Sequence, residues 1–313
     1  MRISIGYITS RKEPEIQWFL DSLEKQISKS DEIEVVVIDL LLRDRFNTEW
    51  SLNPEFYKLG GIDLKITSPK PCIWSGESRI TKENWWSKCN SLNTFLCMAT
   101  HSFICMVDDR CVAQAGFLDS IRAAISGDYI MAGSYEKRHG MTVENGAIKH
   151  GGIIVAKDSR HDYVLANSIP TPMTCGGEWL FGCCVAMPLE WALQVNGYPE
   201  RCDSMSFEDV IFGLILQNNG YPIKFDPRAR IIEDRSPDKL GEPMKRTAKE
   251  RFPHDKDDKA HTTLRWVKTA KRSENDFEIR ELRAKIQRGE PFPPVDTSKE
   301  HLDWFDNQPV KDF

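Results

Sequence analysis

Two pairs of adjacent carboxylates pose the chemical question. In Ser206-Phe207-Glu208-Asp209-Val210-Ile211-Phe212-Gly213-Leu214 a Glu-Asp pair heads an apolar, helix-like run. In Ser102-Phe103-Ile104-Cys105-Met106-Val107-Asp108-Asp109-Arg110-Cys111 an apolar strand stops abruptly in two acids and a guanidinium. Acids at the carboxyl edge of a buried strand can hold a divalent metal and the phosphates it carries, because hard cations take oxygen ligands. Neighbouring side chains do not share a helix face, so one of Glu208 and Asp209 can face a pocket while the other braces it. The plainer alternatives are a charged turn that closes the strand, and acids that complement the positive end of a helix dipole. Upstream of the Glu-Asp pair, Cys175-Gly176-Gly177-Glu178-Trp179-Leu180-Phe181-Gly182 forms a Gly-rich turn whose backbone can approach a ligand closely.

The elements that must position these groups are legible from periodicity. Ile3 to Ile8 alternates as a strand, Glu15 to Ile27 repeats apolar residues at helical spacing, and Glu34 to Asp39 is a nearly all-apolar strand ending in a carboxylate. This β-α-β order predicts a parallel, helix-covered α/β sheet. Ligands of such sheets bind at the carboxyl ends of the strands, which places Thr9, Ser10, Arg11 and Asp39 beside a ligand. No GxGxxG follows the first strand, against a dinucleotide-binding domain. Further along, Lys65-Ile66-Thr67 reads as a third strand, 69–83 as a loop, Trp85 to Ala99 and Gly116 to Ile125 as helices, and Tyr129 to Tyr135 as a strand.

Composition narrows the classes. The 313 residues carry a formal net charge of −5 and 40% hydrophobic content, ordinary for one large globular domain or one domain with an appendage. Mild acidity argues against coating nucleic acid by bulk charge. No signal peptide and no transmembrane span is expected, since the best apolar run, Val35 to Leu42, is short and broken by Asp39. The nine cysteines form no CxxC pair and read as reduced, mostly buried thiols. The expectation is a soluble, cytoplasmic protein.

The order of an acid after the second strand (Asp39), the strand-end triplet Asp108-Asp109-Arg110, the Gly177-Glu178-Trp179 turn and Glu208-Asp209 resembles the family-2 glycosyltransferases of the GT-A fold. Asn219-Gly220-Tyr221-Pro222 and the following Asp226-Pro227-Arg228-Ala229-Arg230-Ile231 look like that family's Gly-Tyr strand and Pro-x-Ala-x-Val segment. The resemblance covers about residues 1–235. It implies a mostly parallel nucleotide-binding sheet flanked by helices, and transfer of a sugar from a nucleotide-diphosphate sugar. It further implies that Asp39 contacts the nucleoside, that Asp108 and Asp109 contact ribose and metal, and that Asp209, with Glu208 as the runner-up, removes the acceptor's proton. A carboxylate within hydrogen-bond reach makes an alcohol nucleophilic as the new bond forms, and this implies inversion at the anomeric carbon. Trp179, beside Gly177 and Glu178, reads as an indole that lines the site and stacks on the sugar ring, with a core Trp as the plainer alternative.

Two positions depart from the family pattern. Arg110 stands at the third place of the triplet, usually a metal ligand, and Glu233 at a place often held by His. One reading is a displaced Mn²⁺ or Mg²⁺ site built from Asp109, Asp108 and Glu233. The other has Arg110 neutralise the diphosphate itself. The acceptor stays open between glycan, protein and a hydroxylated base in nucleic acid; the Lys-, Arg- and His-bearing segments at 136–162 and 244–272 would suit phosphate contacts in the last case. The plain reading of the clusters at 136–140, 149–152 and 158–162 is a solvated hairpin. A nucleotidyltransferase would carry a Gly-rich phosphate loop where Thr9-Ser10-Arg11-Lys12 has no glycine, and a non-catalytic nucleotide- or sugar-binding module is a further alternative. From residue 236 a separate C-terminal extension is expected, with a polar linker, a mixed-charge run at 254–261, helices at Thr262–Ala270 and Asp276–Arg288, and an irregular tail.

Overall fold

The computed structural model describes residues 1–45, 52–78, 87–204, 207–237 and 278–296. The mixed-charge run at 254–261, the helix expected at 262–270, the basic segment 244–272 and the end of the tail lie outside these residues.

The chain runs β1 (Arg2–Thr9), α1 (Ile16–Glu24), β2 (Glu32–Asp39), α2 (Leu42–Arg45), β3 (Asp63–Thr67), α3 (Lys88–Met98), β4 (Phe103–Asp108), β5 (Cys111–Ala113) and α4 (Phe117–Gly127). It continues through β6 (Ile130–His139), β7 (Thr142–Glu144), β8 (Ala147–His150), β9 (Ile153–Lys157), α5 (Ser159–Ala166), β10 (Met173–Thr174), β11 (Cys184–Pro188), α6 (Leu189–Gln194), α7 (Glu208–Asn218), β12 (Ile223–Asp234) and α8 (Ile279–Gln287). The main sheet has the order β10-β12-β6-β11-β4-β1-β2-β3. The four strands β3, β2, β1 and β4 are parallel, as the β-α-β pattern predicts. β11 then enters antiparallel between β4 and β6, and β12 runs parallel to β6.

Helices cover both faces. Val35 and Val37 point to the core beneath α1 and α4, while Val36 and Ile38 point to the core beneath α3, α6 and α7. Burial on both faces is why β2 reads as a continuous apolar run. The same pleat governs β4: Ile104 and Met106 face α3, and Phe103, Cys105 and Val107 face α1. Asp108 and Asp109, at its end, are thereby sent to opposite sides of the sheet. Ile279 and Leu282 of α8 join the α3 core, so part of the extension expected after residue 236 packs on the main body. Among the described residues no helix is long and apolar enough to cross a membrane. All nine cysteines are free, and Cys175 is the one that is not buried.

The largest difference from the sequence reading is β6. Its strand continues through Glu136, Lys137 and Arg138 to His139, where charge density suggests a solvated turn. β12 pairs with this stretch on one side and β9 on the other, which satisfies its backbone and covers its side chains. Glu136 is buried between Arg138 and Arg230, and Arg160 is buried with Asp158. The β7–β8 hairpin is the part of the expected exposed hairpin that is present.

Candidate active site

The carboxyl ends of β1, β4, β6 and β12 and the start of α7 converge on one group of charges. On the α1 side of β4, Asp109 is held on both oxygens: Oδ1 accepts from Arg11 Nε at 2.6 Å and Oδ2 from Thr9 Oγ1 at 2.6 Å. Arg11 also donates through Nη2 to Glu233 Oε1 at 2.7 Å. Its guanidinium is fully buried, and the adjacent acids, Asp109 foremost, raise its pKa against the opposing effect of burial. Three buried groups from β1, β4 and β12 therefore form one unit, and breaking it would strand a charge away from water. Its Nη1, together with Ser10 Oγ and Glu233 Oε2, is a buried polar atom without a hydrogen-bond partner among the described residues.

On the α3 side, Asp108 meets two lysines. Lys88, at the first turn of α3, places Nζ 3.1 Å from Asp108 Oδ1 and 3.6 Å from Glu208 Oε1. Lys137 on β6 lies 3.4 Å from Glu233 Oε2 and 4.0 Å from Asp108 Oδ2. Burial alone would raise the Asp108 carboxyl, but Lys88 and Lys137 hold it below the ordinary value. Glu208 and Glu233 go the other way: burial pushes both up, with Asp209 adding to the rise at Glu208, and the nearby lysines only partly offset it.

Asp209 points elsewhere, as two successive helix residues must. Its Oδ2 accepts from the Gly182 backbone N at 2.9 Å and its Oδ1 from the Val210 N at 2.8 Å. The Gly-rich turn reaches this position because two backbones touch. A Cβ on Gly177 would lie 2.2 Å from the Gly213 carbonyl oxygen, and one on Gly213 would lie 2.0 Å from that of Gly177. Gly177 N also donates to Gln217 Oε1 on the same helix at 2.7 Å. From the other side Arg160 stacks on Phe181 at 3.8 Å, bonds the Trp179 carbonyl and is itself held by Asp158. Gly182 leaves room for Lys88, whose Nζ would lie 2.9 Å from an added Cβ there.

Other expected site residues have partners of their own. Arg110 turns away from the acids: its residue adopts φ 49° and its guanidinium pairs with Asp234 at 2.7 Å, donates to the Glu13 carbonyl at 2.6 Å and lies over Trp18. With all of these partners it is a buried brace between β12 and the β1–α1 loop. Asp39 is fully buried and paired with Arg45 at 2.6 Å. Trp179 packs its edge on Phe225 with ring centroids 5.4 Å apart, and Glu178 is exposed. Among the basic residues read as possible nucleic-acid contacts, Lys137, Arg138 and Arg160 are engaged by acids of the protein itself. Lys88 and Gln217 belong to no motif read from the sequence, and Lys137, Arg160 and Gly213 are read there without a place beside these acids.

A divalent metal does not fit this set of acids as they stand. Asp109 has both oxygens taken, Glu233 has one taken by Arg11, and Asp108 and Glu233 share Lys137. A dication about 4 Å from that ammonium would meet a repulsion of about 8 kcal/mol at an effective dielectric of about 20, so it requires Lys137 to leave. Among the described residues no group of three His, Cys, Asp or Glu is disposed to hold a metal.

No protein-family model matches the chain, and no curated protein matches its sequence. Likeness is found among solved structures. TarS from S. aureus, residues 1–349 in complex with UDP-GlcNAc, is 17% identical, with 79% of this chain and 61% of that one covered at a TM-score of 0.48. The mannosyltransferase PcManGT from Pyrobaculum calidifontis, in complex with GDP-Man and Mn²⁺, is 16% identical over 74% of this chain and 56% of that one, with a TM-score of 0.47. GalNAc-T7, solved with UDP, GalNAc and Mn²⁺, is 12% identical over 100% of this chain and 57% of that one, with a TM-score of 0.52. The chain thus spans less than two thirds of the length of each of these structures. The likeness to GalNAc-T7 shows the fold, which is the GT-A glycosyltransferase fold.

Proposed function

We propose that this chain is a glycosyltransferase that moves a sugar from a nucleoside-diphosphate sugar to an acceptor hydroxyl with inversion, with Asp209 as general base. The observation that carries the proposal is the joining of the helix-start acid Glu208 to the strand-end acid Asp108 through Lys88, with Asp209 the next residue on the same helix turn and held by Gly182 N, on a GT-A sheet. In this reading the carboxyl ends of β1 and β2, with Thr9, Ser10, Arg11 and Asp39 buried beneath them, form the nucleoside side; the GT-A protein GalNAc-T7 was solved with UDP. In the transfer step the acceptor oxygen attacks the anomeric carbon, its proton passes to Asp209, and the bond from that carbon to the phosphate oxygen breaks with its electron pair. The diphosphate leaves with added negative charge. Lys88 and Lys137, the partly open cations of this group, donate N–H groups to it in this reading. Glu208, its carboxyl raised by burial and tied to Lys88, orients the lysine in this reading.

The test is a thermal-shift screen of nucleoside diphosphates and their sugars, followed by ¹H NMR of the product of the donor that stabilises. A ligand bound by the native state alone raises the melting temperature. One nucleotide series is expected to do so, and the product's anomeric proton is expected to show the configuration opposite to the donor's. Retained configuration would remove Asp209 from the role of base, and the absence of any stabilising nucleotide would remove the donor reading.

A further inference from the structure

Lys137 stands where a bridging cation would stand. Its ammonium lies between Glu233 Oε2 and Asp108 Oδ2, at 3.4 Å and 4.0 Å, and that oxygen of Glu233 has no hydrogen bond among the described residues. The other oxygens of the same two carboxylates are held by Arg11 at 2.7 Å and Lys88 at 3.1 Å, so the acids reach Lys137 already oriented. The lysine is itself fixed at its root. It lies inside β6, hydrogen-bonded between β12 and β9, with Glu233 its register partner on β12 and the small Ala156 its partner on β9. Its ammonium passes 5.3 Å from the Tyr135 ring, and the side chain keeps 19% of its surface open, enough for its free N–H groups to meet a ligand.

We infer that Lys137 is the resident cation of the donor-phosphate site: a protein-borne charge takes the place between Asp108 and Glu233 that a divalent metal would take, and donates N–H groups to the diphosphate. The inference rests on the donor reading above. No co-reactant is added to the transfer step. The electron pair of the broken bond stays on the diphosphate oxygen, its charge is met by the ammonium, and the acceptor's proton goes to Asp209. An ammonium carries one charge where a dication carries two, and Lys88, partly open at the same edge, supplies a second.

The experiment compares wild type, Lys137→Met and Lys137→Arg, each checked for an unchanged circular-dichroism spectrum. In the first arm MnCl₂ alone is titrated into each protein by calorimetry, with no nucleotide present. Wild type and Lys137→Arg are expected to take up no Mn²⁺ saturably. Lys137→Met, which leaves Asp108 and Glu233 without the cation between them, is expected to gain one saturable Mn²⁺ site. Mn²⁺ binding by the wild type, or no gain in Lys137→Met, overturns the inference. In the second arm the nucleoside diphosphate found by thermal shift is titrated in EDTA. Its affinity is expected to fall about tenfold in Lys137→Met and to be largely kept in Lys137→Arg, since one well-placed charged hydrogen bond is worth that much. A wild-type affinity that vanishes in EDTA and returns with Mn²⁺ also overturns it. If no nucleoside diphosphate binds the wild type under either condition, the donor reading fails, and the MnCl₂ arm still decides whether Lys137 holds the place of the metal.

Discussion

Glu34 and Glu233 are both buried glutamates on strands of one sheet, and they sit at its opposite ends. At the amino end, Glu34 accepts from Ser4 Oγ, from Lys65 Nζ at 2.5 Å, and from the Thr100 backbone N at 2.9 Å and Oγ1 at 3.1 Å. Burial alone would raise its carboxyl, but those donors hold it below the ordinary value. At the carboxyl end, Glu233 has one oxygen on Arg11 and one without a hydrogen bond, and burial pushes its carboxyl up. The first is a closed network that closes the bottom of the sheet. The second is an open network: it holds Arg11 and Lys137, yet leaves Glu233 Oε2 and Arg11 Nη1 without hydrogen bonds among the described residues, which suits it to meeting a ligand. Within one sheet, the completeness of hydrogen bonding separates the end that holds the fold from the end proposed to do chemistry.

Substitutions at the two ends should then dissociate activity from stability. The largest effect belongs to Asp209→Asn, which is expected to lower the rate of transfer about 10²- to 10⁴-fold while nucleotide binding and melting temperature stay near wild type. Unchanged turnover in Asp209→Asn would transfer the role of base to Glu208, and Glu208→Gln would then show the loss. Next comes Glu34→Ala, expected to cost about 3 kcal/mol of stability, because it leaves a buried gap and takes the acceptor from Ser4 Oγ and the Thr100 N–H together. Chemical denaturation measures it, and turnover per folded molecule should not change. Loss of turnover without loss of stability would break the contrast between the two ends.

A smaller effect is expected from Gly213→Ala. Its methyl would meet the Gly177 carbonyl at 2.0 Å, so the turn must shift, at about 1–3 kcal/mol of overpacking. Because the same turn supplies Gly182 N to Asp209, this variant should lose both stability and turnover, unlike either of the first two. The mildest probe is pH. Glu34 has a folded pKa below its unfolded one, so its stabilisation is complete above the ordinary value of 4.5 and is lost as pH falls through the folded value. Glu233 has the opposite sign: its ionisation weakens the fold as pH rises from 4.5 toward its raised folded value. Carbon-13 NMR of the side-chain carboxyls should find Glu34 titrating below 4.5 and Glu233 above it.

Much of this architecture is legible in the residues because it follows from local repetition. The apolar runs of β1, β2 and β4, the helical spacing of Phe19, Leu20 and Leu23, and the abrupt stop at Asp108 each mark an element without reference to the others. The charged partners are less legible, because a sequence does not show which charges meet. Lys137 and Arg160 lie in segments that read as solvated; Lys137 is partly covered when β9 and β12 flank β6, and Arg160 is buried under Phe181. Arg110 misleads in the opposite sense. It follows two acids directly, yet its φ of 49° and the acid at Asp234, far along the chain, turn it away from them. The Arg11 bridge from Asp109 to Glu233 spans almost the whole described sheet domain and has no local signature.

The Gly177–Gly213 contact has a consequence for how the chain can be altered. Where two side chains meet, selection or a designer can adjust their spacing one methyl at a time. Here the spacing between turn and helix is set by two bare backbones, so it has a single value and no graded alternatives. Change is therefore easiest at positions around this fixed point, such as the exposed Glu178 beside it, and hardest where it would move Gly182 relative to Asp209.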